Sequence, residues 1–380
     1  MLLIKNGRIF TMQEENDFNG YVLCKDGKIL DVGRMEDLDV EGKTFDRVID
    51  AAGGVVTPGL IDPHCHVGMW ENGIGFEGAD GNEMTDPVTP HMRATDGIYY
   101  KDKSFEEARN AGVTTVVTGP GSANIIGGQF VAMKTVGDRI EDMVIKDPSA
   151  MKMAFGENPK RVYHEQKKTP STRMATAAGL RQALTEAKKY MEKKDEDKYD
   201  YKKEELSKVF NGLMVKMHAH REDDIQTAIR IAREYDLDFT VDHCTEGYLI
   251  KDFLAANKIK VIVGPLLSDR SKYELKNMSI KNPGLLQKAG VKVAIMTDHP
   301  VIPIQYLPLC AGVAVKEGMD MMEALRAITL YAAQLNGIDH RVGSLEKGKD
   351  ADIAVFDGNP LEVMTQVKAT VIDGTVVYEG

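Results

Sequence analysis

Eight short apolar runs, spaced along residues 57–339, constrain this chain more than any other feature. In order they read GLIDPHCH, AGVTTVVTGPG, QFVAMKTVG, AMKMAFGEN, LMVKMHAH, DFTVDHCT, IKVIVGPLL and VKVAIMTDHP. Helix-like stretches such as FEEARNAG, AGLRQALTEAKKYMEKK, DDIQTAIRIAREYD and NPGLLQKAG lie between them, most ending near Gly or Asn as helix C-termini do. Strands alternating with helices mark βα units and a parallel sheet. Eight such units in about 280 residues fit a (β/α)8 TIM-type barrel, and a doubly wound open sheet satisfies the same periodicity.

Both chain ends have another texture. Residues 1–56 and 340–380 alternate short β-like runs with turn signals, including Asp26-Gly27 and Asp373-Gly374, each between two β-rich runs as in a hairpin. The two ends are expected to build one small sheet domain around a barrel domain at 57–339.

Composition removes several function classes. The net charge of −10 disfavours a nucleic-acid partner, which needs a basic face to displace counterions. No apolar run approaches the roughly 18 residues of a membrane span, and the opening MLLIKNGRIF has no signal-peptide pattern, so a soluble cytoplasmic protein acting on a small molecule is expected, with no membrane partner and homo-oligomerisation left open. The four cysteines, Cys24, Cys65, Cys244 and Cys310, form no CxxC pair and read as buried packing residues. The mixed-charge segment 188–208 reads as a solvated helical excursion.

Active sites of barrels lie at the C-terminal ends of the strands, and metal-competent residues gather there. The first strand ends in His64 and His66, the fourth in Glu157, the fifth in His218 and His220, the sixth in His243 and the eighth in Asp298. In His-x-His on a strand both rings face the same side, about 6.5 Å apart along the backbone, so they can converge on one ion while Cys65 points away. Imidazole and carboxylate donors suit Zn2+, with iron or manganese as alternatives. Such an ion lowers the pKa of bound water to about 7 and polarises a carbonyl. Asp298 fits the base that takes the water's proton to the leaving nitrogen.

These pieces, together with VVTPGLIDPHCH, KMAFGENPKR and the closing GSLEKGKDADIAVFDGNP, resemble the amidohydrolase superfamily, and within it the imidazolonepropionase-related, prolidase-like branch. The resemblance implies a barrel with a small β-sandwich made from both termini, and hydrolysis of a C–N bond in a cyclic amide or a dipeptide. It implies that His64, His66, His218 and Asp298 are metal ligands, that Asp298 is the proton shuttle, and that His243 binds a second ion or contacts substrate. One or two ions per chain are expected. On the fourth strand relatives bridge two ions with a carboxylated lysine or a glutamate; Glu157 is the expected bridge, with Lys152 the alternative. His220, Arg161, Tyr163 and Arg270 are candidate substrate contacts, an arginine at a barrel mouth being able to grip a carboxylate bidentately. An Xaa-Pro dipeptidase, a ring deaminase and a catalytically silent assembly protein on the same scaffold are the competing readings; the last predicts gaps in the ligand set, and no usual position is vacant.

Overall fold

Residues 1–14, 16–71, 75–192 and 199–380 are described by the computed structural model. They fold around two eight-stranded sheets.

The first sheet is made by both ends of the chain: β1 (Leu2–Ile9), β2 (Phe18–Lys25), β3 (Lys28–Arg34), β4 (Arg47–Asp50) and β5 (Val55–Pro58) with β14 (Ile353–Phe356), β15 (Val367–Ile372) and β16 (Thr375–Glu379). Its order is β16-β15-β14-β5-β1-β2-β3, with β4 also on β1. The sheet branches along β1: Leu2–Lys5 pair with β4, and after the register shift between Ile4 and Gly7, Arg8 and Ile9 pair with β5. The expected sandwich is thus realised as one branched sheet. Both Asp-Gly signals make two-residue hairpins, with φ of 51° and 78° at Asp26-Gly27 and 47° and 74° at Asp373-Gly374, the positive pair a type I′ turn requires. The boundary expected at 56/57 falls inside β5, which passes through Gly59 directly into the barrel.

The second sheet follows chain order: β6 (Leu60–Cys65), β7 (Val113–Thr118), β8 (Ile126–Lys134), β9 (Val144–Ala154), β10 (Met214–Ala219), β11 (Phe239–His243), β12 (Val261–Val263) and β13 (Val293–Ile295). All eight apolar runs of the sequence are strands of this sheet. One differs from expectation: β8 runs antiparallel to both β7 and β9, whereas the other neighbours are parallel. Residues 119–125 and 135–143 are too few for parallel crossovers, which need about a dozen or more residues, so the chain makes a meander there. Between β6 and β13 the seam is closed by the buried Asp62, which accepts from His64 N and Thr297 N at 3.1 Å each, and by His66 N donating to His299 O at 2.9 Å.

The strands bury both faces. Ala150, Met214, Ile262, Ala294 and Met296 pack with Phe130 inside the barrel. Their odd-numbered neighbours Met151, Val215, Val261, Val293 and Ile295 pack outward with Leu180, Ile225 and Leu286 of the flanking helices Arg173–Glu192, Glu222–Glu234 and Asn282–Lys288. This two-residue period matters for the site, because it also sends Lys152, Lys216, His218 and Asp242 inward. All four cysteines are free and buried. Of the segment 188–208, residues 193–198 lie outside the described residues, and Tyr201–Ser207 forms a helix. No helix among the described residues is long and apolar enough to cross a membrane.

Candidate metal centre

At the C-terminal mouth of the barrel the side chains converge in two groups, His64 with His66 and Asp298, and His218 with His220 and His243. Within each group the ligand atoms lie within 4.8 Å of one another, and every member is buried. The groups adjoin: the rings of His64 and His243 are 5.5 Å apart, and those of His218 and His243 4.2 Å.

Hydrogen bonds fix how the rings face. His66 Nδ1–H donates to Gly119 O at 2.7 Å and His243 Nδ1–H to Gly264 O at 3.0 Å, while Nδ1 of His64 is held by Asp242. Each bond leaves the Nε2 lone pair for an ion, the usual arrangement of metal-binding imidazoles. Both ring nitrogens of His218 and Nε2 of His220 are buried without a hydrogen-bond partner among the described residues. Orphaned nitrogens at the centre of a barrel cost free energy unless something binds them, so the donor set fits a divalent ion at each group.

Two of these residues sit on strained backbone. His243 has φ 73° and Asp298 φ 57°, left-handed conformations that cost a non-glycine residue of order 1–3 kcal/mol and persist where a site demands them. At His243 the turn takes the ring off its strand's outward face and brings it beside His218.

Below the two groups lies a charged layer. Lys152 and Lys216, adjacent in register on β9 and β10, are fully buried. Lys152 Nζ donates to His64 Nε2 at 3.0 Å. Lys216 Nζ is 3.2 Å from Asp242 and 3.2 Å from Asn336 Oδ1. Burial pushes the Lys152 ammonium down to about 8 and the His64 imidazole down to about 3, and takes His218, His220 and His243 well below the ordinary value. Burial alone would raise the Asp242 carboxyl, but Lys216 and His64 hold it well below the carboxylate range. Burial alone would raise the Asp298 carboxyl, but the neighbouring His66 ring, with Nε2 3.2 Å from Oδ1, holds it below its ordinary value. Burial thus favours the neutral form of His64, His218, His220 and His243, and their neighbours favour the ionised form of Asp242 and Asp298, the protonation states that bind metal.

Three expectations are corrected by position. Glu157 joins neither group: Gly156, at φ 81°, turns the chain off β9, so Glu157 begins the helix Glu157–Glu165 and its Oε2 accepts from Glu274 N at 3.3 Å. Lys152, two residues before the end of β9, is the fourth-strand residue that faces the ligands. Tyr163 is fully buried and donates to Asn124 Oδ1 at 2.6 Å, a packing role, because it shares with Pro159, four residues earlier, the buried face of that helix. Arg270 is exposed and its guanidinium is spent on the carbonyls of Lys276 and Met278. Arg161 lines a cavity of about 480 Å³ with Lys160, Arg221 and Glu274. His220, expected as a substrate contact, stands among the ligand donors.

Sequence reasoning passed over Asp242, Lys216 and Glu274. Asp242 was within reach, since its parity matches the inward face of β11. Glu274 had no signal, because it comes from the irregular loop after β12.

The Amidohydrolase family model matches residues 55–377. The chain is 28% identical over 368 residues to Amidohydrolase tasK of Hapsidospora irregularis, covering 87% of this chain but 37% of that longer protein. It is 26% identical over 420 residues to the Imidazolonepropionase of Maricaulis maris, covering 99% of this chain and 98% of the relative. An amidohydrolase from Thermotoga maritima superposes with a TM-score of 0.95 at 42% identity over 100% of both chains. A Xaa-Pro dipeptidase with bound methionine shares the fold at a TM-score of 0.61 and 18% identity.

Proposed function

The chain belongs to the amidohydrolase family and is a hydrolase of carbon–nitrogen bonds, and from that premise we propose that it opens an amide bond in a small anionic substrate, either a cyclic amide of the imidazolone type or a dipeptide. The observation that carries this reading is the pair of adjoining ligand groups with Lys152 beside them. His64, His66 and Asp298 would hold one ion and His218, His220 and His243 a second, with Lys152 in carboxylated form as the bridge in place of Glu157. Zinc suits these donors, with iron or manganese as alternatives. When bound, such ions lower the pKa of water to about 7 and polarise the scissile carbonyl.

The chain's own residues then have separable tasks. Asp298 accepts the proton of the attacking water at its carboxylate and delivers it to the departing nitrogen. Its side chain, 13% exposed against 0% for His64, reaches furthest toward solvent of that pair. Asp242 orients His64 and keeps its Nε2 unprotonated. His243 serves as ligand or substrate contact. Arg161, which has no hydrogen bond or ion pair among the described residues, and the neighbouring Lys160 offer positive charge to a substrate carboxylate from the cavity that adjoins Glu274.

The same cations favour the second reading, an Xaa-Pro type dipeptidase, since a dipeptide presents a terminal carboxylate near its scissile bond. Imidazolone-type cyclic amides, Xaa-Pro dipeptides and aminated heterocycles, offered to the zinc- or manganese-loaded protein while ring opening, free amine and ammonia are followed, separate hydrolysis of a cyclic amide from dipeptidase and deaminase activity. Metal analysis should find one to two ions per chain and His64→Ala should abolish turnover; native protein that is active and free of metal overturns the reading.

A further inference from the structure

Beyond the ligands that strands supply, one carboxylate from a loop is aimed at the histidine group. Glu274, in the segment after β12, is 1% exposed, and its Oε1 lies 3.5 Å from His220 Nε2 and 3.9 Å from His218 Nε2. Zinc-type ions hold nitrogen at about 2.0–2.1 Å and carboxylate oxygen at about 2.0–2.2 Å in a tetrahedral array, which sets neighbouring donor atoms about 3.3–3.5 Å apart. The His220 separation matches that edge length, and the His218 separation exceeds it by about 0.4 Å.

The carboxylate is placed by construction. Its other oxygen, Oε2, accepts from Glu157 N at 2.9 Å, at the first turn of the helix Glu157–Glu165. Glu157 returns the contact, its own Oε2 accepting from Glu274 N at 3.3 Å. Gly156 makes room: a Cβ there would stand 2.5 Å from Glu274 Oε2. One oxygen is thus anchored to backbone, and the other is directed at two imidazole nitrogens that have no hydrogen-bond partner among the described residues. Lys272 Nζ reaches the same Oε1 at 2.6 Å and Asn158 Oδ1 at 3.1 Å, so the ammonium has a second acceptor when Oε1 turns to an ion.

Resting on the two-ion reading above, we propose that Glu274 is a further ligand of the ion bound by His218, His220 and His243, a carboxylate contributed by the seventh strand's loop, and that Glu157 positions it. The reciprocal contacts give Glu157 a task, and Lys272 balances the carboxylate's charge.

The test is a crystal structure of the zinc-loaded wild-type protein with anomalous scattering at the zinc edge, paired with zinc titration of Glu274→Gln. An ion at the three histidines with a Glu274 oxygen within about 2.5 Å, and at least a tenfold weaker second ion in the variant with the first unchanged, is the expected result. An ion there with the carboxylate still on Lys272 and more than about 3 Å away, or a variant that keeps both ions at wild-type affinity, overturns this assignment and leaves the two-ion reading standing. A wild-type protein with no ion at the histidines overturns both.

Discussion

Nζ of Lys152 lies 3.0 Å from Nε2 of His64, while the other nitrogen of that ring is held by Asp242. The lysine therefore stands against the group of His64, His66 and Asp298. Lys152→Ala should lower kcat by about a hundredfold or more, the cost of removing one group that stabilises charge in a closed site. A short carboxylate such as propionate should restore part of the loss by entering the space the side chain leaves. Kinetics with and without propionate check this; unchanged kcat removes Lys152 from the centre.

Asp242 acts through His64 and not on substrate. Asp242→Asn should weaken metal affinity by about 10–100-fold, as loss of a carboxylate behind a metal-binding histidine does. It also removes the one ion-pair partner that Lys216, fully buried, has among the described residues. Breaking a buried pair costs about 3–5 kcal/mol, so thermal unfolding of the metal-free variant should fall alongside the affinity read by calorimetry.

Asp298→Asn keeps the shape of the side chain and an oxygen for the ion but cannot carry a proton. Loss of general acid–base action is worth about 10²–10⁴ in rate, so kcat should drop by that order while KM changes little. A variant whose KM rises while kcat holds would place Asp298 in binding only.

A second buried charge cluster joins the two sheets. Lys134, at the end of β8, meets Asp350 at 3.0 Å, Asp352 at 2.6 Å and Asp373 at 3.3 Å. Burial would raise the Asp350 carboxyl, but Lys134, Lys28 and Arg341 bring it from 3.8 to about 2. A carboxyl depressed in the folded state stabilises fully above its unfolded value of 3.8, and the contribution is lost as pH falls from there through about 2. Asp352, raised by its burial, works in the opposite sense. Lys134→Met should cost about 3–5 kcal/mol near neutrality, and the gap to wild type should narrow between about pH 4 and pH 2. Denaturant melts at pH 7, 4 and 3 read both quantities.

The barrel was legible because each strand is a short apolar run buried on both sides, and the two groups of candidate donors were legible because strand ends are where barrels place such side chains. What escaped had physical causes. Apolar content does not report strand direction, so the reversal of β8 was hidden; only the brevity of residues 119–125 betrays it. Glu157 was misplaced because counting along a regular strand cannot foresee that Gly156 leaves it. Tyr163 and Arg270 carry chemistry-bearing side chains at the mouth end of the chain trace, yet one is consumed by packing and the other by loop carbonyls. Glu274 depends on a loop path, which period-two and period-3.6 patterns do not encode.

The reversed strand has a consequence for how the barrel comes together. A parallel strand pair forms only after an intervening crossover has been closed, whereas β7, β8 and β9 are joined by short connections and pair with near neighbours in sequence. Loop-closure entropy is smallest there, so this meander is the part of the wall able to nucleate first, with the remaining strands adding to the edge at β9. Conservative truncations within it, such as Val131→Ala, should slow refolding, while Val293→Ala on the last strand should mainly speed unfolding, a contrast that stopped-flow refolding and unfolding rates would show or refute.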